Sequence, residues 1–404
     1  MTVLRGLTVG TARSNAVAWQ ESLPRYLIAA VAVFLATRFI AVLGAYIALS
    51  QDGESRSLFD SLVRAGDGGW YQEIASDGYD TAADLSPELR VACPDATETG
   101  CLPDASDRVS NLAFFPLFPA LIRAVSMVGI DPGLAALLIA ASMSVVAAAL
   151  IAMLARDFGG PRFGLIAVFL WGCWPANMVL SMGRPESLFT ALAAGALLLA
   201  ARGRLYWAAG VAAVCGLARF QALAVILPVV LAAWRAGLRS REWRVAAVAS
   251  LVAPSGLIAS LGFLGAPVGA LNGWFAIQRT WGSTADGGSE KARFVLDNLW
   301  NGDAVYQVAA WTLVGACLLF AAGLIIRIPW TLSAYTAILL LGVLSQSAYH
   351  QHIMRFLLVA FPLVFPAAWA ARRWPGWVVV PTLVVIAVVS TALQTQLWSW
   401  GWSF

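Results

Sequence analysis

Charged residues are scarce in this chain of 404 residues, and lysine is almost missing. Charged side chains make up 12% of the chain and hydrophobic ones 60%, whereas a soluble domain averages roughly 25% charged residues. This composition argues against a soluble enzyme and favours a protein that lies in lipid. The only lysine is Lys291, so arginine carries the positive charge, a usage typical of a GC-rich bacterial genome.

The chain also lacks the glycine-rich sequences that bind nucleotides. It contains no phosphate-binding loop, no dinucleotide fingerprint after a strand and no repeat of solenoid period. Nucleotide-driven transport and a soluble domain for nucleotide sugars are therefore disfavoured, and no nucleic acid is expected as a partner. We expect no cofactor, but a divalent cation stays open because two carboxylates could hold one.

Cysteine is infrequent and falls into two groups. Cys173, Cys215 and Cys317 lie in apolar runs, where a buried neutral thiol is the usual state. Cys93 and Cys101 flank the polar stretch PDATETG. Either they form a disulfide in an oxidising compartment or they are two free thiols.

Long apolar runs are what the chain has in abundance. Many of them approach the roughly 20 residues that cross a hydrocarbon core. The first run is too long for a signal-peptide core and has no convincing cleavage site, so it should remain as a helix. We predict an all-α polytopic membrane protein, a single domain over 1–404, with about eleven transmembrane helices. The predicted spans are 26–49, 132–155, 163–180, 187–201, 205–218, 222–234, 245–265, 305–326, 330–349, 354–371 and 377–398.

Segment 113–130 decides the orientation. It is apolar, but it carries Pro116, Pro119 and Arg123, and an arginine near a helix centre costs roughly 2.5–3.5 kcal/mol on insertion. If this segment does not cross and the N-terminus is cytoplasmic, more than half of the 26 basic residues fall in short cytoplasmic segments. If it crosses, every later basic loop is exported, against the positive-inside rule.

We therefore predict a cell-membrane protein with a long first extracytoplasmic loop, 51–131, and a second one, 266–304. More than half of the 22 acidic residues lie in the first of these loops. The loop should form short helices at the membrane interface.

Asp67 is the first candidate for chemistry. It stands in the sequence GDGGWY, where Gly66, Gly68 and Gly69 let the backbone bend. A partly desolvated carboxylate has its pKa raised toward working pH, as a general base requires. The plain alternative is a turn or helix-capping aspartate.

The other candidates lie near Asp67 in the chain or at the predicted outer ends of the helices. Trp70 and Tyr71 are residue types that stack on sugar rings, whereas Glu73 and Asp77 are expected on a solvated helix face. Membrane-level polar groups are seldom kept without a role, and an arginine can hold a phosphate through two parallel hydrogen bonds. The candidates for phosphate binding are Arg219, His352 and Arg355, and those for substrate binding also include Glu186, Gln278 and His350.

Three alternatives accompany these candidates. Arg355 may serve only to snorkel to lipid headgroups, and Arg184 with Glu186 could form a pair that does nothing else. The two histidines suggest a metal less strongly, because no third ligand is in sequence reach. Arg38, midway along the first span, requires a buried partner or water.

Several segments together resemble the PIG-V-like mannosyltransferases of the GT-C superfamily of integral membrane glycosyltransferases. DGGWYQEIASDGYD followed by AFFPLFPAL resembles the first-loop signature of that family. GRPESLFTAL, LARFQAL, QRTWG and HQHIMRFLLVAFP are similar to its later blocks, in the same order, so the resemblance covers roughly 60–370.

This resemblance implies a GT-C-like fold of eleven or more helices with an extracytoplasmic active site. It also implies a polyprenyl-phosphate-mannose donor, inversion at the anomeric carbon and Asp67 as the general base. The acceptor, a lipid or glycan of the cell envelope, stays open. The family usually has tryptophan directly before the aspartate, where this chain has Gly66, and the cysteine-bearing insert 81–110 is particular to this chain.

Three other functions compete with this one. A GT-C transferase could move another polyprenyl-linked sugar, such as glucose or arabinofuranose. A transporter or flippase of lipid-linked sugars is disfavoured, because transporters show internal repeats and midplane breaks, whereas here the polar residues gather at one face. A scaffold without catalysis is the third, and Gly66 is its best argument.

Overall fold

The computed structural model describes residues 9–51, 57–85, 110–241, 243–269 and 272–399, and it is all-helical there apart from one β-bridge, between Ala285 and Gln346. Cys93 and Cys101 lie outside the described residues. The helices are α1 (Val9–Gln51), α2 (Leu58–Arg64), α3 (Gly68–Asp77), α4 (Leu117–Ser126), α5 (Pro132–Gly159), α6 (Pro161–Gly172), α7 (Glu186–Ala201), α8 (Leu205–Ala218), α9 (Leu223–Ser240), α10 (Trp243–Gly265), α11 (Gly273–Thr280), α12 (Ser289–Asn298), α13 (Ala304–Ile325), α14 (Trp330–Ser345), α15 (Ile353–Leu358), α16 (Phe365–Ala371) and α17 (Gly376–Ser399).

Within the described residues, six helices are long and apolar enough to cross a membrane, or seven if the bent pair formed by 350–358 and 361–371 is one span. This confirms the prediction of an all-helical, multi-pass membrane protein. The predicted spans at 163–180, 187–201, 205–218 and 330–349 correspond to shorter apolar helices, which have 12, 16, 14 and 16 residues. The six full spans are Leu23–Ser50, Pro132–Gly159, Phe220–Ser240, Trp243–Val268, Ala304–Ile325 and Gly376–Trp398.

Segment 113–130 forms only the short helix α4. Its 10 residues cover about 15 Å, about half of a hydrocarbon core, which agrees with the prediction that this segment does not cross. Pro116 occupies the N-cap position, and the helix buries Phe118 and Ile122. Tyr71 of α3 meets Phe118 edge to face at 5.3 Å, so the two helices pack through an aromatic contact.

The bent pair follows from proline. Pro362 has no backbone N–H, so the carbonyl of Leu358, four residues earlier, has no helical partner. The indole of Trp171 donates to this carbonyl at 3.0 Å, and the hydroxyl of Tyr335 donates to the carbonyl of Val359 at 2.7 Å. These bonds satisfy carbonyls of buried residues, and the two parts of the pair meet at 81°.

Arg38 also stabilises a helix end. Buried in α1, it donates to the carbonyl of Asn177 at 2.5 Å, to the side-chain oxygen of Asn177 at 3.0 Å and to the carbonyl of Gly172. Gly172 ends α6, and Asn177 begins a short 3-10 segment. Carbonyls at a helix end lack intrahelical donors, and this guanidinium supplies them, which accounts for an arginine in the first span.

Helices α2, α3, α4, α11 and α12 lie at one end of the bundle, which we name the loop end. Many arginines of the loops predicted to be cytoplasmic lie at the opposite end. There Arg202 pairs with Asp157 at 3.0 Å, and Arg235 lies 3.9 Å from the ring centre of Trp330. Within the described residues, the helices of the predicted first extracytoplasmic loop and these arginines therefore lie at opposite ends of the molecule.

Candidate functional site

A tight turn at the loop end carries Asp67. Gly66 adopts a left-handed conformation, with φ of 57°, which glycine tolerates and other residues rarely adopt. A side chain at Gly68 would collide with the carbonyl oxygen of Val63. These two constraints explain why glycine flanks the aspartate.

The carboxylate of Asp67 does not cap α3, although Asp67 stands at the N-cap position. It accepts a hydrogen bond of 2.7 Å from Nη1 of Arg355, and Nη1 of Arg184 lies 4.0 Å from the same oxygen. Arg184 is fixed by a bond of 2.5 Å to the carbonyl of Ala65. The capping interpretation of Asp67 is therefore wrong.

A second carboxylate extends this group. Oε1 of Glu186, in the first turn of α7, lies 2.5 Å from Nη1 of Arg219 and 3.6 Å from Nε of Arg355. Arg219 also donates to the side-chain oxygen of Gln221 at 3.2 Å. Arg355 thus bridges Asp67 and Glu186, and Glu186 pairs with Arg219 and not with its sequence neighbour Arg184.

Together these residues form what we name the charge cluster: Asp67, Arg184, Glu186, Arg219 and Arg355. Three guanidinium groups face two carboxylates, so the cluster carries one excess positive charge. The side chain of Arg184 is 1% exposed and that of Asp67 is 30% exposed. Among the described residues, Nε and Nη1 of Arg184 have no hydrogen-bond acceptor. Buried donors without partners favour an anionic ligand.

The cluster changes the expected acidity of Asp67. Burial alone would raise the pKa of the carboxyl group, but the charges of Arg355 and Arg184 outweigh burial and hold this pKa below its usual range. The expectation of a raised pKa is therefore wrong for the ligand-free protein. Asp67 is ionised there, but it is a weak base as long as Arg355 binds it.

The three residues predicted to bind phosphate come together near Asp67. Arg219 and Arg355 belong to the charge cluster, and His352 lies close enough to Asp67 to interact with it electrostatically. The ring of His352 packs near that of Tyr349, with ring centres 5.5 Å apart. The structure therefore brings these three residues to one place.

The two predicted sugar-stacking residues have different surroundings. Tyr71 is buried and packs edge to face on Phe114 and Phe118, so it belongs to the core of the loop end. Trp70 is half-buried, stacks on Phe114 at 6.0 Å and meets the edge of Trp281 at 5.5 Å. Trp70 is thus the more accessible of the two rings.

Gln278 and His350 lie outside the charge cluster. The side chain of Gln278 donates to the carbonyl of Ala113 at 3.2 Å, so it fixes the start of the AFFPLFP segment. His350 bonds to Lys291 at 2.8 Å, and its Nε2 lies 3.4 Å from Glu290. Both polar groups are already used within the protein.

Sequence reasoning missed two participants. The sequence suggests only Glu186 as a partner for Arg184, but in the structure Arg184 lies near a second acid, Asp67. The second is Tyr349, whose left-handed backbone, with φ of 59°, has no clear sequence signal.

The other acids of α3 give no further site. Asp77 is exposed and Glu73 is half-buried on α3. Among the described residues, no group of three or more histidine, cysteine, aspartate or glutamate side chains comes together. Comparison of the chain with models of protein families and with curated proteins finds no match.

Proposed function

We propose that this protein is a membrane-bound glycosyltransferase that moves mannose from a polyprenyl-phosphate donor to an extracytoplasmic lipid or glycan acceptor, with inversion. The observation that carries the proposal is the charge cluster, in which Asp67 and Glu186 lie among three arginines, so that one positive charge is in excess. Mannose itself rests on the resemblance of the sequence blocks. Another polyprenyl-linked sugar would use the same cluster.

The excess charge suits the donor. The phosphodiester of a polyprenyl-phosphate sugar carries one negative charge, which would neutralise the one excess positive charge of the cluster. Arg219 and Arg355 offer guanidinium donors, which bind phosphate oxygens in pairs, and the unpartnered nitrogens of Arg184 lie beside them. A lipid carrier would bring this phosphate along the membrane surface.

Donor binding would also free the carboxylate of Asp67 from its contact with Arg355. When phosphate oxygens accept the hydrogen bonds of Arg355, Asp67 loses the contact that now lowers its pKa. Asp67 then accepts the proton of the acceptor hydroxyl while this oxygen bonds to the anomeric carbon from the face opposite the phosphate. The bond from that carbon to the phosphate oxygen breaks, and the phosphate leaves with the electron pair, stabilised by the arginines.

The distribution of arginine supports an extracytoplasmic site. The charge cluster lies at the loop end, and the arginine-rich loops lie at the other end. Because short cytoplasmic loops are enriched in arginine, the loop end would face outward. A lipid-linked donor needs no nucleotide-binding motif, and the sequence has none.

The test is a transfer assay with purified protein. Polyprenyl-phosphate-mannose labelled in the sugar is supplied with a lipid and glycan extract to wild type, Asp67→Asn and the control Asp77→Asn, which changes an exposed acid on α3. We expect labelled product with wild type and Asp77→Asn and a loss of about a hundredfold or more with Asp67→Asn, as for removal of a general base.

Two results would contradict the proposal. Full turnover by folded Asp67→Asn would remove the base from this position. If wild type transfers no mannose, a panel of other polyprenyl-phosphate sugars follows, and failure of the whole panel would reject glycosyl transfer.

A further inference from the structure

The segment from Trp281 to Lys291, which we name the strap, contacts both the helix that follows Asp67 and the turn that precedes Arg355. At its start, the edge of Trp281 contacts Trp70, three residues after Asp67, with ring centres 5.5 Å apart. The carbonyl of Trp281 accepts a hydrogen bond from the hydroxyl of Tyr349. One residue of the strap therefore touches both the element that carries Asp67 and the segment that leads to Arg355.

The middle of the strap pairs with the turn 346–350. Ala285 and Gln346 form the β-bridge, and the N–H of Ser347 donates to the carbonyl of Thr284 at 2.8 Å. The hydroxyl groups of Thr284 and Ser347 lie 2.5 Å apart. Backbone pairing of this kind fixes the position of the turn relative to the strap.

Lys291 closes the strap. It is 1% exposed, and its ammonium group lies 2.8 Å from the carbonyl oxygen of Ala348 and 2.8 Å from Nδ1 of His350. The ammonium has only donors, so Nδ1 accepts and the protonated Nε2 faces Glu290. The lysine thereby binds both neighbours of Tyr349, whose left-handed backbone is unfavourable for a residue with a side chain.

The turn that Lys291 holds leads directly into the helix that carries Arg355. A change in the backbone of Tyr349 would redirect His352 and Arg355, which follow within six residues. We propose that Lys291 is a positioning residue, which holds the turn 346–350 through the strap so that Arg355 stays in place against Asp67. The catalytic consequence rests on the proposed function, but the coupling between strap and ion pair does not.

The first test uses the fact that Lys291 is the only lysine. An amine-reactive reagent labels only this side chain and the N-terminal amine, and peptide mapping separates the two. Burial lowers the pKa of Lys291 to about 8, so near that pH much of the amine is neutral and access of the reagent limits the rate. Labelling is compared in wild type, Asp67→Asn and Asp77→Asn.

If the strap and the ion pair are coupled, breaking the pair must loosen the strap, because coupling between two sites is reciprocal. We expect Lys291 to react several-fold faster in Asp67→Asn than in wild type and at the wild-type rate in Asp77→Asn. Equal rates in Asp67→Asn and wild type would overturn the coupling. Equal acceleration in both variants would also overturn it, because it would indicate general loosening of α3.

The second test measures the catalytic consequence in the transfer assay. Lys291→Met removes the donors, Lys291→Arg keeps a charged donor, and Arg293→Met removes an exposed charge from the same helix as a control. We expect Lys291→Met to raise the KM for the donor about tenfold, with the acceptor KM unchanged. Lys291→Arg should restore part of the loss, and Arg293→Met should behave as wild type.

The two tests separate the inference from the proposed function. An unchanged donor KM in Lys291→Met, or an equal rise in both KM values, would overturn the positioning role. A wild type that transfers no sugar from any donor would reject the proposed function, and the labelling rates would still decide whether the strap holds the ion pair.

Discussion

At the scale of single residues, burial and charge act on Asp67 in opposite directions. Burial favours the neutral carboxyl group, and the guanidinium of Arg355, 2.7 Å away, favours the carboxylate. Burial is the largest single effect, but the charges of Arg355 and Arg184 together outweigh it in the ligand-free protein. Removal of Arg355 should therefore raise the pKa of Asp67 toward the condition that the sequence alone suggests, although Arg184 still opposes burial.

This reasoning predicts the pH dependence of the proposed reaction. The acid limb of kcat/KM reports the pKa of the base in the free enzyme. In Arg355→Met this limb should move to higher pH by about one unit or more, because an adjacent opposite charge lowers a carboxyl pKa by roughly 1–3 units. The measurement is a pH profile of donor kcat/KM for wild type and Arg355→Met.

Arg219→Met is the matched comparison, because Arg219 pairs with Glu186 and not with Asp67. Its acid limb should move less than that of Arg355→Met. Equal shifts in the two variants would mean that overall charge, and not the direct contact with Asp67, sets this pKa.

The sequence marks some candidate residues by charge in an apolar context and others by the residues around them. Arg219 and Arg355 stand out because charged residues in apolar runs need partners in a membrane protein, and Asp67 stands out because of the glycines beside it. The partners themselves could not be predicted. Arg184 stands two residues before Glu186 in the chain, but Arg184 lies near Asp67 and Glu186 pairs with Arg219.

At the scale of elements, the break in the bent pair shows how a proline is accommodated in the buried interior of the bundle. The carbonyl of Leu358 is satisfied by the indole of Trp171, which is 1% exposed and stacks on Phe34. A buried carbonyl without a donor costs about 1–3 kcal/mol. The hydrogen bond from Trp171 to this carbonyl is therefore expected to stabilise the folded protein.

Trp171→Phe should lower the stability of the protein in detergent by about 1–3 kcal/mol, seen as a lower melting temperature. Trp311→Phe is the control, since the indole of Trp311 also donates to a backbone carbonyl, that of Leu299, but is 46% exposed. Leu299 lies in the predicted extracytoplasmic loop before this span, where water can replace the bond to its carbonyl. Equal losses in the two variants would show that the buried bond adds nothing.

The sequence predicts where the apolar spans lie better than where each helix begins and ends. The apolar runs near 26–49 and 132–155 match the spans Leu23–Ser50 and Pro132–Gly159, since apolar composition over this length marks a span directly. The length of an unbroken helix is less evident: the predicted span 354–371 is broken by Pro362, and 163–180 ends at Gly172 in α6. Tertiary contacts, such as that of Arg38 with this helix end, decide such breaks.

At the scale of the whole molecule, the charge cluster lies at one end, and arginines of the loops predicted to be cytoplasmic, such as Arg202 and Arg235, lie at the other. Helix α9 shows the separation, because its 18 residues cover about 27 Å between Arg219 at one end and Arg239 at the other. The positive-inside rule then predicts that the loop end faces out of the cell. The proposed function needs this orientation, because its acceptor is extracytoplasmic.

The scarcity of lysine makes the orientation measurable. In a Lys291→Arg background, Arg64→Lys places one lysine at the exposed end of α2, and Arg239→Lys places one at the exposed end of α9. Both substitutions preserve charge, so the arginine distribution that sets the orientation does not change. A membrane-impermeant amine reagent applied to intact cells should label the lysine at 64, and it should label the lysine at 239 only after the membrane is permeabilised. The reverse pattern would place the charge cluster in the cytoplasm, and a lipid-linked donor would then have to be used on the inner face.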